Sequence, residues 1–244
     1  RYNNQGQLEA FSLFSHTDKH IVFSPATPGD RSWTDPSYHL PAFYELWAKW
    51  ADNNNSFWSD RAEDSRQFLK STVDSTTGLS PDYAYFDGSP HDQYQHWKDT
   101  FQYDAWRTVS NAAIDYAWWQ KDPWQVTYAN TLQKFFHGQG VDSYASLYEL
   151  DGEPYEINAD HSPGLVAMNA VASLASDNEL TWDFVDAFWN TPIPEWKWRY
   201  YDGSLYMLGL LAVSGNYKVY CPNDGCPEVE LPAEPTDLPG GDPD

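Results

Sequence analysis

Basic side chains are scarce in this chain of 244 residues: 14 Lys and Arg stand against 36 Asp and Glu, for a formal net charge of −22 at pH 7. A field of that sign repels phosphate backbones and anionic headgroups, which argues against nucleic acid and membrane surfaces as partners. Long apolar runs are also absent, and no stretch approaches the ~18 residues that a membrane-crossing helix needs. Cysteine is reduced to Cys221 and Cys226, separated by Pro-Asn-Asp-Gly. That pair reads as a local disulfide outside the cytoplasm or as two free thiols. No Gly-x-Ser-x-Gly elbow, phosphate loop, His-Glu-x-x-His pair or Asp-rich calcium loop is found, so neither a cofactor nor a metal is expected. The acidity and the cysteine pair together fit a secreted or periplasmic protein.

What the chain has in quantity is aromatic. Its 13 Trp, 17 Tyr and 12 Phe make up 17% of the residues, yet mean hydropathy is −0.68. Rings interspersed with polar groups suit a binder of hydroxyl-rich, ring-shaped ligands. They equally suit a core that uses large side chains.

The densest such segment is Tyr103-Asp104-Ala105-Trp106-Arg107. On a helix, residues three apart share a face, so Arg107 can grip Asp104. A gripped carboxylate stays ionised and keeps its direction, as a water-activating general base must. Tyr103 and Trp106 would supply flat surfaces for sugar rings. The plainer alternative is an Asp favoured by a helix N-terminus and paired with a surface Arg.

The body of the chain reads as helices. Asp35-Pro36, Asp122-Pro123 and Ser162-Pro163 each place a capping residue before a Pro at the first helical position, and Ser59 and Thr181 read as plain caps. Apolar residues follow at helical spacing: Leu40, Phe43, Trp47 and Trp50; Val109, Ala112, Ala113 and Tyr116; Leu132, Phe135 and Phe136. The stretches 165–175 and 205–213 are apolar nearly all round, which predicts helices buried on every side, the second capped by Gly215. Connections alternate between short (51–58, 120–122, 177–181) and long (74–101, 138–161, 190–202). Antiparallel hairpins of that kind gather all the long connections at one end. Tyr38, Asp104, His161 and Tyr201 each sit where a helix follows a long connection, so they should converge on one face. After Cys226 the chain is rich in Pro, Glu, Asp and Gly, and residues 221–244 read as a disordered acidic tail or linker. With no initiator Met and an opening at Arg1-Tyr2-Asn3-Asn4, the chain reads as a piece of a longer protein.

Three blocks, Asp35 to Tyr44, Tyr103 to Arg107 and Arg199 to Leu208, resemble glycoside hydrolase family 8 in order and spacing. The first and last are most similar to its xylan-acting branch. The resemblance implies an (α/α)6 barrel, an inverting mechanism and a cleft for β-1,4-linked sugars. It assigns Asp104 as the catalytic base, Arg107 as its partner and Tyr38 as a holder of the attacking water. It places Tyr103, Trp106 and Tyr201 on the cleft wall. His161 is the histidine to watch, because it opens a buried helix on that face.

The chain also departs from the family. The Glu-Gly block that carries the general acid is absent, and so is an Asp-Gly-Asp block that helps distort the central sugar. About seven helices are expected where a twelve-helix ring is needed, so residues 1–220 read as a partial catalytic domain. Within the chain, Glu149, Glu153 and Glu156 are better placed to act as an acid than Glu45, which lies more than a turn below the face. Three readings compete. The leading one is an endo-acting xylanase, a monomer when complete and inactive as this piece. A reducing-end exo-oligoxylanase, with His161 and Pro163 closing one end, is its nearest rival, alongside an endo-β-1,4-glucanase. The third is a non-catalytic glycan-binding helical fragment.

Overall fold

The computed structural model describes residue 5 and residues 11–25, 31–91, 99–155 and 160–221. Glu156, Cys226 and the tail 222–244 lie outside the described residues. Among those described there are seven α-helices: α1 (Pro41–Trp50), α2 (Asn55–Thr72), α3 (Trp106–Trp119), α4 (Trp124–Gln139), α5 (Pro163–Ala172), α6 (Thr181–Asn190) and α7 (Tyr201–Val213). They form an arc two layers thick. The inner layer runs α1, α3, α5, α7, each packed on the next, while α2, α4 and α6 pair with α1, α3 and α5 as the outer layer. Each inner–outer pair is a hairpin closed by a short link, so the long connections 73–105, 140–162 and 191–200 all fall at one end, as the spacing predicts. None of the described helices is long and apolar enough to cross a membrane.

Local chemistry explains most boundaries, and in four places it shifts the expected ones. Asp35 does act as a cap, its Oδ1 accepting Ser37 N at 2.7 Å, but the turn it starts is a 3-10 turn, Pro36–Tyr38. Pro41 ends that turn, because the residue before a proline is disfavoured in the α region, and α1 restarts with Pro41 at its first position. Ser59 is no cap: it lies inside α2, which begins after Asn54 in the left-handed region at φ 64°. Thr181 is the first residue of α6, after Leu180. Ser162 caps α5 through Gly164 N, whereas α4 opens at Trp124 with Pro123 as its cap residue instead of its first, Asp122 accepting Trp124 N at 3.0 Å. Gly215, at φ +72°, ends α7 as expected, its N–H donating to Ala212 O at 3.0 Å.

The core lies between the layers, with Phe68, Leu69, Leu132, Phe136, Leu165, Phe184 and Phe188 buried in it. On α5 every residue from Gly164 to Ala172 is buried, as expected. α7 departs from expectation: Met207, Leu208 and Leu211 are 56%, 41% and 39% exposed. They form one stripe at helical spacing on the side of α7 away from α5.

A buried ion network ties the hairpins together below the cleft end. Arg66 of α2 forks onto both oxygens of Asp115 of α3 at 2.8 and 2.9 Å and reaches Glu45 of α1 at 2.9 Å. Lys121 closes on the other oxygen of Glu45 at 2.7 Å. Beyond α7 the chain turns back, so that the Tyr217 ring lies 5.5 Å from Trp118 and its carbonyl accepts from that indole at 3.0 Å. Two short antiparallel strands, β1 (Trp33–Thr34) and β2 (Ala84–Tyr85), brace the long connections; the helical reading did not anticipate them.

Candidate active site

At the cleft end the segments that enter the inner helices are stitched to one another. Asp104 lies two residues before α3, with its carboxylate oxygen 2.9 Å from Arg107 Nη2. Arg107 reaches across to the 3-10 turn, where the same Nη2 meets Ser37 Oγ at 2.7 Å and Asp35 Oδ2 at 3.1 Å. Asn111, one turn further along α3, donates to Ser37 O at 2.7 Å. The 3-10 turn is therefore clamped against the start of α3, which brings Tyr38 beside the base. Asp82 supports the same point from another connection, accepting Ala105 N at 3.0 Å.

The charges respond to this crowding. Burial pushes the Asp35 carboxyl up to about 7, with Arg107 pulling against that and Asp104 adding to it. Burial also raises the Tyr38 hydroxyl, and the negative charges of Asp35 and Asp104 raise it further. Burial works against the Arg107 charge, but Asp35, Tyr201 and Asp104 outweigh it and hold the guanidinium above its ordinary value.

In front of Asp104 opens a cavity of about 860 Å³, lined by Tyr103, Trp106, His161, Tyr201, Trp198 and Glu195 among others. That size is within the usual range for small-ligand sites. Tyr201, the first residue of α7, donates its hydroxyl to Tyr103 O at 2.5 Å, and its ring lies 6.0 Å from Trp106. Trp106 is only 2% exposed and donates to Ser146 O at 3.1 Å, so it backs the wall while Tyr103, 44% exposed, faces outward. His161 is fixed by donation from Nδ1 to Tyr144 O at 2.8 Å, with the two rings 4.4 Å apart. That leaves Nε2 as its remaining polar atom. The floor is closed where Asp202 of α7 accepts from Ser162 Oγ and from Gly164 N. A Cβ at Gly164 would lie 2.8 Å from Asp202 Oδ1, so only glycine permits this approach.

The convergence expected for Asp104, His161 and Tyr201 is found: all three line one cavity, and Tyr103 and Trp106 join them. Neither Tyr38 nor Arg107 lines that cavity: Arg107 pairs with Asp104 beside it, and Tyr38 is carried by the 3-10 turn that Arg107 and Asn111 hold through Asp35 and Ser37. The acid candidates fare differently. Glu45 is buried in the Arg66 and Lys121 network. Glu149 and Glu153 form an exposed turn joined by Glu149 N to Glu153 O at 2.8 Å, and neither lines the cavity. The carboxyls that do line it besides Asp104 are Asp160, Glu195 and Asp202. Asp160 and Glu195 sit in irregular connections that carry no periodic signal, whereas Asp202 lies in the first turn of α7, within the block Arg199 to Leu208. Cys221 is disulfide-bonded; its expected partner, Cys226, lies outside the described residues. Among the described residues no group of three or more His, Cys, Asp or Glu is arranged to hold a metal ion.

Comparison with known proteins agrees with this geometry. The profile of glycosyl hydrolases family 8 matches residues 22–215. The chain is 44% identical over 220 residues to a reducing-end xylose-releasing exo-oligoxylanase of Paenibacillus barcinonensis, covering 88% of this chain and 56% of that protein. It is 41% identical over 214 residues to one of Halalkalibacterium halodurans, covering 86% and 53%. A solved family 8 xylobiose complex from Teredinibacter turnerae superposes with a TM-score of 0.81 at 37% identity, over 88% of this chain and 55% of that one. The chain thus spans about half the length of the curated relatives it matches, and its seven helices are part of an (α/α)6 barrel.

Proposed function

Because the chain belongs to glycosyl hydrolase family 8, we propose that the whole protein is an inverting glycosidase that releases xylose from the reducing end of β-1,4-linked xylo-oligosaccharides. The observation that carries the chemistry is the Asp104 carboxylate, held at 2.9 Å by Arg107 and facing an aromatic-walled cavity. Water attacks the anomeric carbon from the side opposite the departing sugar while Asp104 takes its proton. The carbon–oxygen bond to the leaving sugar breaks, a general acid protonates that oxygen, and the new hydroxyl has inverted configuration. The acid must stand ~6.5–9.5 Å from the base, leaving room for the water. We place it in the part of the relatives that this chain does not span. Tyr38, held beside Asp104, steadies the water, and Tyr103 and Tyr201 carry the sugar rings.

The exo mode, rather than the endo mode that led from sequence, is favoured by what the two curated relatives are named for. It is also favoured by His161, which the 140–162 connection fixes at the cavity wall. An end wall there would admit a terminal sugar and stop a chain running through. Two further features belong to the proposal: the protein works outside the cytoplasm, consistent with the disulfide at Cys221, and it works as a monomer.

The test is to supply the full-length protein with xylohexaose labelled at its reducing end and to follow products and anomers from the first turnovers. Label appearing in free xylose, with the new reducing end of the remaining xylopentaose formed in the inverted anomer, supports the reading. Label spread through xylobiose and xylotriose restores the endo mode, and retained configuration overturns the mechanism.

A further inference from the structure

We propose that Asp35 is a positioning residue for the base, acting as the neutral member of a pair of carboxyls that share the Arg107 guanidinium, so that the guanidinium charge is committed to Asp104. This rests on Asp104 being the base.

The geometry is one of competition. A single guanidinium nitrogen, Arg107 Nη2, carries two hydrogens and faces three oxygens: Ser37 Oγ at 2.7 Å, Asp104 Oδ1 at 2.9 Å and Asp35 Oδ2 at 3.1 Å. One cation between two carboxyls neutralises one of them, and the second then keeps its proton more tightly. Burial decides which. The Asp35 side chain has no exposed surface, whereas that of Asp104 is 28% exposed and lines the cavity. Charge is therefore cheaper at Asp104.

The groups facing Asp35 from each neighbouring element point the same way. Arg107, from α3, is the cation. Asp104 ahead of α3 and Asp82 in the connection before β2 both add negative charge, and Ser37 donates its N–H and shares its hydroxyl from the turn itself. Asp35 does not reach the substrate cavity, so its influence passes through Arg107. Below neutrality Asp35 is uncharged, and Arg107 holds Asp104 in place. Once Asp35 loses its proton, a second carboxylate draws the guanidinium towards the 3-10 turn, and the base loses part of its anchor.

The experiment is a kcat and KM profile of the full-length protein on xylohexaose between about pH 4 and pH 9, comparing wild type, Asp35→Asn, Asp35→Ala and Asp104→Asn. The wild type is expected to lose turnover through a step near neutrality. Asp35→Asn, uncharged at every pH, should move that alkaline limb upward by about half a unit or more, with KM within about twofold. Asp35→Ala, unable to hold Ser37 or Arg107, should lower kcat about tenfold or more below the step, and the amide should recover most of that loss. An unmoved limb in Asp35→Asn, with Asp104→Asn inactive, overturns the role of Asp35 while leaving the base intact. Turnover surviving in Asp104→Asn would instead overturn the base assignment itself. Should Asp35→Asn not fold, the infrared difference between wild type and Asp35→Ala at about pH 6, where ordinary carboxyls are ionised, decides: a protonated-carboxyl band lost with Asp35 supports the proposal, and no such difference overturns it.

Discussion

α5 and α7 are neighbouring inner helices of nearly matching apolar character, yet their surroundings are opposite. α5 is enclosed by α3, α4, α6 and α7, and every residue from Gly164 to Ala172 is buried. α7 packs against α5 on one side and presents Met207, Leu208 and Leu211 to solvent on the other. Three large apolar side chains side by side on one exposed helix face are suited to packing against a further element. The other edge of the arc has a similar feature, with Trp47, Trp50 and Phe57 between 37% and 40% exposed. The difference teaches that an all-round apolar helix states where it is meant to be buried, while its neighbours decide whether it is.

Activity is the strongest way to break this comparison. If α7 borders a missing half that also carries the acid, residues 1–244 alone should hydrolyse xylo-oligosaccharides at least ~10²–10⁴-fold more slowly than the full-length protein. Reducing-sugar release by the two chains at equal concentration measures this. Comparable rates would mean that the arc is self-sufficient and would point to Glu195 or Asp160, which share the cavity with Asp104, as the acid.

Stability sharpens the comparison next. In residues 1–244, Leu165→Ala on α5 should cost about 2–5 kcal/mol in urea unfolding, because it empties a fully enclosed site. Leu208→Ala on α7 should cost under about 1 kcal/mol in the same chain. In the full-length protein the two costs should approach each other. A Leu208 cost that stays small there would mean that nothing covers α7.

Acid should act on the opposite edge of the arc. Burial holds His39 well below its ordinary value of 6.5, with His20 adding to the effect. The unfolded chain takes up a proton that the folded ring refuses. Stability is therefore fully present above about pH 6.5 and is lost as pH falls below it, by up to ~1.4 kcal/mol per pH unit. Hydrogen exchange at pH 5 and pH 7 should show protection falling first in α1 and α2 rather than in α5. Replacing the ring by His39→Phe should flatten the dependence.

The smallest effect is expected from Met207→Lys. In residues 1–244 it should change stability by no more than about 0.5 kcal/mol while reducing self-association in sedimentation. A large loss of stability would show that the stripe already has a partner.

Much of the frame was legible because its signals are local. Helical spacing, Pro at helix starts and the alternation of link lengths located seven helices and the end at which Asp104, His161 and Tyr201 meet. The misplacements have local causes too. Pro41 interrupts the helix that Asp35 starts, and Ser59 lies mid-helix because Asn54, in the left-handed region, had already turned the chain into α2. What could not be read was pairing across distance. Asp35 looked like a cap and is one, but its approach to Arg107, 72 residues away, belongs to the fold. Trp106 looked like a sugar platform until burial made it a support for Tyr103 and Tyr201. The cavity carboxyls Asp160 and Glu195 sit in irregular connections, where no period exists to reveal a side chain's direction.

The return of the chain at Tyr217 gives the arc a bowstring. A curved row of helices open at both ends could straighten, since its end helices α1 and α7 are not packed against each other. Instead the segment after α7 runs back and is pinned through Tyr217 to Trp118 of α3, with Phe43 of α1 6.3 Å from the Tyr217 ring. The string joins the end of the last inner helix to Trp118 of α3 and Phe43 of α1, adding a tether across the arc to the packing between its helices. Cutting it between Gly215 and Tyr217 would leave every helix intact and let the bow relax, opening the distance between Tyr201 and Tyr38 with no change at either residue.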